Sequence, residues 1–147
     1  MNISNKEYDS MVKKATPNSN LMQDSIKAFL VGGIICVIGQ LITEAHLALG
    51  LKTEDASMLT SATLILLGAS LTAFGVYDNI ANFGKAGTLV PITGFANSIV
   101  APAMEYKTEG MVPGVGSKMF IIAGPVLVYG ITGSVIYALI YRILLLI

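Results

Sequence analysis

Two stretches of this chain, Ala56–Tyr77 (ASMLTSATLILLGASLTAFGVY) and Met119–Tyr141 (MFIIAGPVLVYGITGSVIYALIY), contain no charged side chain at all. The hydrocarbon layer of a bilayer is ~30 Å thick and a helix rises about 1.5 Å per residue, so about 20 apolar residues suffice to cross it. Both stretches meet that length, which makes the chain an all-α, polytopic integral membrane protein. Composition agrees. The 147 residues are 54% hydrophobic and only 12% charged, far from the balance of a water-soluble domain.

A third run, AFLVGGIICVIGQLI from Ala28, is shorter and meets Glu44 and His46 before Leu47–Leu51 resume. It spans if Lys27 snorkels at one interface while Glu44 and His46 reach the other. A fourth, Ala86 to Met104, is uncharged but interrupted by glycines and a proline. The expected fold therefore has three to four transmembrane helices, one of them broken or re-entrant. Residues 27–147 form a single transmembrane domain, preceded by a cytoplasmic amphipathic leader at 1–26.

In the leader, Tyr8, Met11, Val12 and Ala15 share one helical stripe, and Pro17, Asn18, Ser19 and Asn20 end that helix. The stripe suits a membrane surface or partner as well as plain solvent. Asn20 with Gln23 three residues on resembles a capping box for the next helix. The charges in the leader exclude a cleavable signal peptide. Lys6, Lys13, Lys14 and Lys27 precede the first span, which puts the N-terminus in the cytoplasm. If 86–104 crosses, six of the nine basic residues are cytoplasmic; if it dips and returns, seven are, a margin that decides nothing. A faint echo between KAFLVGGIICVIG (from Lys27) and KMFIIAGPVLVYG (from Lys118) would favour the dip if it marks a parallel repeat.

Several function classes fall away. Net charge is zero and the basic residues are scattered, so no face tracks nucleic-acid phosphates. One cysteine, Cys36, permits neither an internal disulfide nor a multi-cysteine metal site, and no cofactor is expected. The chain offers no HExxH, no paired-aspartate motif and no GxSxG serine, so enzyme activity is not expected.

The interrupted segment is the candidate site. Backbone groups left unpaired in lipid cost several kcal/mol each, roughly, so unwound chain persists only where protein buries it or water reaches it. Pro91 lacks a donor and disfavours helix at Val90, while Gly87 and Gly94 free the chain to turn. The helix should break between Gly87 and Thr93. With Thr93 as N-cap, the amides of Gly94, Phe95, Ala96 and Asn97 would form a half-helix N-terminus, which attracts anions. Lys85, Asn97 and Ser98 would add donors. The other reading is a kinked helix whose polar groups satisfy their neighbours.

AFLVGG and IGQ (Ala28 to Gln40), TAFGVYD (Thr72 to Asp78), FGKAGTLVPITGFANS (Phe83 to Ser98) and EYKTEG (Glu105 to Gly110) together resemble the stage V sporulation protein A membrane family of spore-forming bacteria. The likeness runs from about Tyr8 onward, and VPITGFANS is its most specific block. Of two related members sharing these blocks, the polar leader resembles the one that carries such an extension. The resemblance implies a channel component of the spore inner membrane. That system moves dipicolinic acid, as its calcium chelate, inward during sporulation and outward on germination, and one member is credited with opening under membrane tension. It also implies partners, a soluble dipicolinate-binding AD member and a sister AE membrane subunit. The usual block reads FAGAG where this chain has Gly84 and Lys85, which adds a charge beside the break.

Other residues carry weaker expectations. Gln40 lines a pore or pairs with another helix, and Asp78 caps the helix leading to Phe83 or serves gating. His46 beside Glu44 reads as an interfacial edge rather than a metal ligand. Gly32, Cys36 and Gly39, Gly68 and Thr72, and Gly130 and Ser134 are small residues spaced for close helix approach. With so few spans, a homo- or hetero-oligomer is expected.

Overall fold

The computed structural model describes residues 5–15 and 20–145. Its helices are α1 (Asn5–Ala15), α2 (Leu21–Ala48), α3 (Thr53–Ala73), α4 (Tyr77–Gly84), α5 (Ala86–Leu89), α6 (Ile92–Glu105) and α7 (Phe120–Leu144). A 3-10 turn at Lys107–Glu109 and a π turn at Met111–Gly116 lead into α7. Three stretches, Leu21–Ala48, Thr53–Ala73 and Met111–Leu144, are long and apolar enough to cross a membrane. The protein is thus all-α and polytopic, with one broken segment between its second and third spans.

α1 forms where its apolar stripe predicts, and Tyr8 and Met11 on it are exposed; the stop at Pro17, Asn18 and Ser19 lies outside the described residues. α2 opens at Asn20, whose carbonyl accepts the Asp24 amide at 2.9 Å. The Asn20 side chain makes no capping bond, so the expected box with Gln23 is not formed. From Leu21 the helix continues unbroken into the span, because nothing between Leu21 and Lys27 interrupts its backbone ladder.

α2 and α3 end alike. Gly50 and Gly75 adopt φ of 85° and 68°, and in each case the next amide folds back: Leu51 onto the His46 carbonyl and Val76 onto the Leu71 carbonyl. This Schellman geometry satisfies carbonyls that a helix end otherwise leaves open in lipid. The two helices run antiparallel, since Thr43 Oγ1 lies 3.0 Å from Thr60 Oγ1 while Gly39 packs on Leu64.

α6 pairs with α3 in the opposite sense. Gly68 packs against Thr93, and four residues further along both helices Thr72 bonds to Asn97, so the pair is parallel. Thr93 is therefore level with a point about 8 Å before the end of α3, and α6 climbs from there back toward that same end. Of the two paths left open by the sequence, the chain takes the one that dips and returns. A consequence is that α2 and α7 start at the same end of the molecule, each with a lysine over an aromatic ring. Lys27 Nζ is 5.4 Å from the Phe83 ring centroid and Lys118 Nζ is 4.4 Å from that of Tyr106.

The interior is built from small and hydroxylated residues. Ala56, Ala96 and Ala123 are buried together with Tyr77, Thr60, Thr72, Thr88 and Thr93, while most Leu, Ile and Val side chains are exposed. That inversion of a water-soluble core is what lipid favours, because aliphatic chains gain nothing by leaving hydrocarbon and close backbone approach gains dispersion contact. α7 stands apart: it meets α6, and Ala123 is its one buried residue among those described. Gly130 has open space around it and Ser134 is exposed, so the close approach expected of them is not made within one chain.

Candidate functional site

The break begins two residues before the predicted interval. Lys85 separates α4 from α5 with φ 49° and ψ −127°, a conformation that strains any residue with a Cβ. Its carbonyl accepts two bonds from Thr88, from the amide at 3.2 Å and from Oγ1 at 2.8 Å. These fasten the short α5 as a compact turn. Gly87 then lies so close to α2 that a Cβ would run into the Ala28 carbonyl. Unwound chain survives here because protein backs it on the inner side, while Leu89 and Val90 face outward at 73% and 87% exposure.

Pro91, at φ −65° and ψ 160°, is the N-cap of α6. This corrects the expectation that Thr93 caps. The Pro91 carbonyl accepts the Gly94 amide at 2.9 Å and the Phe95 amide at 3.3 Å. Two of the predicted anion-binding amides are thus already used. The open end of the half-helix lies upstream, at Ile92 and Thr93. Gly94 is where α6 crosses α5: a Cβ there would collide with the Thr88 carbonyl.

Thr93 turns inward instead. The Tyr77 hydroxyl lies 2.9 Å from the Thr88 carbonyl and 3.1 Å from Thr93 Oγ1. A phenol has one proton and a carbonyl can only accept, so Tyr77 donates to Thr88 and the Thr93 hydroxyl donates to Tyr77. One buried tyrosine from α4 therefore straps together the two sides of the break. Sequence reasoning passed over Tyr77 as the end of a span; its place in TAFGVYD, two residues after the glycine that ends α3, was the signal available.

Asn97 faces α3, with Oδ1 2.9 Å from Thr72 Oγ1, which is also 2.7 Å from the Gly68 carbonyl. The Thr72 proton serves one acceptor at a time, and turning the Asn97 amide to present its NH2 group satisfies both contacts. Ser98 bonds to the Phe95 carbonyl at 2.7 Å within its own helix. Phe95 is half-buried and Lys85 is exposed. Tyr77, Thr88, Thr93, Thr72 and Asn97 thus form the polar seam of the fold, with Lys85 and Ser98 at its margins.

The outlying candidates separate from this seam. Gln40 is exposed and donates to Glu44 Oε1 at 2.8 Å on its own helix. Asp78 sits inside the first turn of α4, whose N-cap is Val76, so the expected cap is not made. It instead joins Glu105, Thr72 and Met104 around a cleft of about 320 Å³ at the end where α3 and α6 finish. His46 Nδ1 lies 3.4 Å from Thr60 Oγ1, between α2 and α3.

The SpoVAC/SpoVAEB sporulation membrane protein family model matches residues 24–140, most of the chain and all of the seam. The chain belongs to that family. Stage V sporulation protein AC of Bacillus subtilis (strain 168) is 45% identical over 136 residues, covering 92% of this chain and 91% of the relative. No solved structure matches. Within the matched region, VPITGFANS is the turn from α5 into α6, and TAFGVYD carries the strap.

Proposed function

We propose that the protein is a subunit of the channel that moves dipicolinic acid, as its calcium chelate, across the spore inner membrane in sporulation and germination, opened by membrane tension. The observation that carries this reading is a half-helix whose N-terminus, at Ile92 and Thr93, is held at membrane depth beside a polar seam. A helix N-terminus favours a planar dianion such as dipicolinate. Lys85, Pro91, Thr93, Gly94, Phe95, Asn97 and Ser98 are the proposed path or the walls that shape it. The role is one of conduction without catalysis, and its partners are the AD and AE members of the system together with further copies of the chain.

The test is dipicolinate release from liposomes holding the purified protein with its AE and AD partners. Asn97→Asp sets a negative charge beside the half-helix; at an effective dielectric of about 20, like charges ~4 Å apart cost about 4 kcal/mol, so release should fall by at least about tenfold. Unchanged release with Asn97→Asp protein correctly inserted removes the reading. Gly94→Leu is unsuited to this purpose, because its side chain would collide with α5.

A second reading, an assembly subunit without its own pore, is favoured by one observation: among the described residues, no buried side-chain polar atom lacks a partner. Under it, the AE and AD partners still conduct in a complex whose Asn97→Asp subunit is present, and conduction fails only when this chain is left out.

A further inference from the structure

Between α2 and α3 lies a wholly apolar-surfaced space, distinct from the cleft at Asp78 and Glu105. It is a cavity of about 290 Å³ walled by Val31, Ile34, Ile35 and Ile38 of α2, Leu64, Leu67 and Leu71 of α3, and Ile80, with Tyr77 and Thr93 also in its lining. Those two hydroxyls are engaged with each other and with Thr88, so the cavity offers a polar ligand no free group. It is about twice the size of an engineered aliphatic cavity that takes up benzene. Its rim is open sideways, since Ile34, Ile38 and Leu67 are 58%, 42% and 42% exposed.

Its wall on α2 has a direction. Lys27, Val31, Ile34 and Ile38 follow one another at spacings of four, three and four residues, a single helical stripe. From Lys27 to Ile38 the helix rises about 16 Å, close to half of the ~30 Å hydrocarbon layer, which is one leaflet. At the top of the stripe, the Lys27 ammonium is matched to the Phe83 ring and, among the described residues, to no carboxylate. A cation at the interface above a leaflet-deep aliphatic slot is complementary to a lipid with an anionic head and an aliphatic tail.

We propose that this cavity holds one acyl chain of an anionic phospholipid from the leaflet in which α2 begins, with the headgroup at Lys27. The chain then passes Tyr77 and Thr93, the residues that strap the break, on its way to Ile38 and Leu64, so the bound lipid is a wedge behind the polar seam. This inference concerns lipid binding and stands whether or not the protein conducts dipicolinate.

The test uses the full chain reconstituted in bilayer discs of phosphatidylcholine and phosphatidylglycerol in equal parts, then transferred to mild detergent, with retained phospholipid counted by mass spectrometry. One phospholipid per chain, enriched in phosphatidylglycerol, is expected. Ile34→Trp and Leu67→Trp fill the cavity from opposite walls and should each lower retention by about tenfold, while Lys27→Gln should abolish the preference for phosphatidylglycerol. The proposal is overturned if the parent chain retains no phospholipid, or if neither filling variant changes retention. It is equally overturned if the filling variants alter the oligomeric mass instead, which would mean that a second copy occupies the groove. If one variant fails to insert, the other and the parent still decide the outcome.

Discussion

Lys85 shows how much a single position can cost. Its φ of 49° with ψ of −127° belongs to glycine, and a residue with a Cβ held there is strained by about 1–3 kcal/mol. We expect Lys85→Gly to raise the thermal unfolding midpoint in detergent, although glycine's greater freedom in the unfolded chain offsets about 0.5–1 kcal/mol of the gain. Lys85→Ala, which keeps the Cβ, should not raise it. Equal behaviour of the two variants would show that the lysine conformation carries no strain. The charge at Lys85 was visible in the sequence; the left-handed backbone beneath it was not, because the fit of α4 and α5 against α2 imposes it.

Among the elements, the break is held by long-range bonds more than by its own glycines and proline. Tyr77 of α4 reaches Thr88 and Thr93 across sequence separations of 11 and 16 residues. Tyr77→Phe keeps the ring and removes the donor, leaving the Thr88 carbonyl without its partner, which costs about 1–3 kcal/mol. Thr93→Val removes a hydroxyl whose only strap partner is the phenol, and should cost less. Chemical denaturation of the two variants checks the order, and an inverted order would place the Tyr77 proton on Thr93. The three spans were legible because their length and lack of charge leave little choice in lipid, and the break was legible because Pro91 falls between Gly87 and Gly94, whereas Pro102 and Pro125 are carried inside helices. The cap was misplaced at Thr93 because a threonine there does suit a helix start locally, and only the arrival of Tyr77 turns its hydroxyl inward. The Asp78 cap went astray for the converse reason, since α4 starts one residue earlier and the carboxylate lies at a cleft that the tertiary fold creates.

For the molecule as a whole, the parallel pairing of α3 with α6 fixes an odd number of crossings. Cysteines placed singly at Lys107 and Lys118 in a Cys36-free background should react with an impermeant maleimide from the same face as one at Lys27, and a cysteine at Arg142 from the opposite face. Labelling of Lys107→Cys from the Arg142 face would mean that 86–104 crosses fully. The parallel sense was beyond the sequence, because basic residues divide almost equally between the two paths and only the Gly68–Thr93 and Thr72–Asn97 contacts choose.

The seating of α7 has a mechanical corollary. With Ala123 as its sole buried residue and roughly 30 Å of helix rising beyond it, α7 behaves as a mast stepped at its foot. A sideways push on the masthead in the far leaflet arrives at the foot as torque, and the helix against which that foot rests is α6, the one that starts at Pro91.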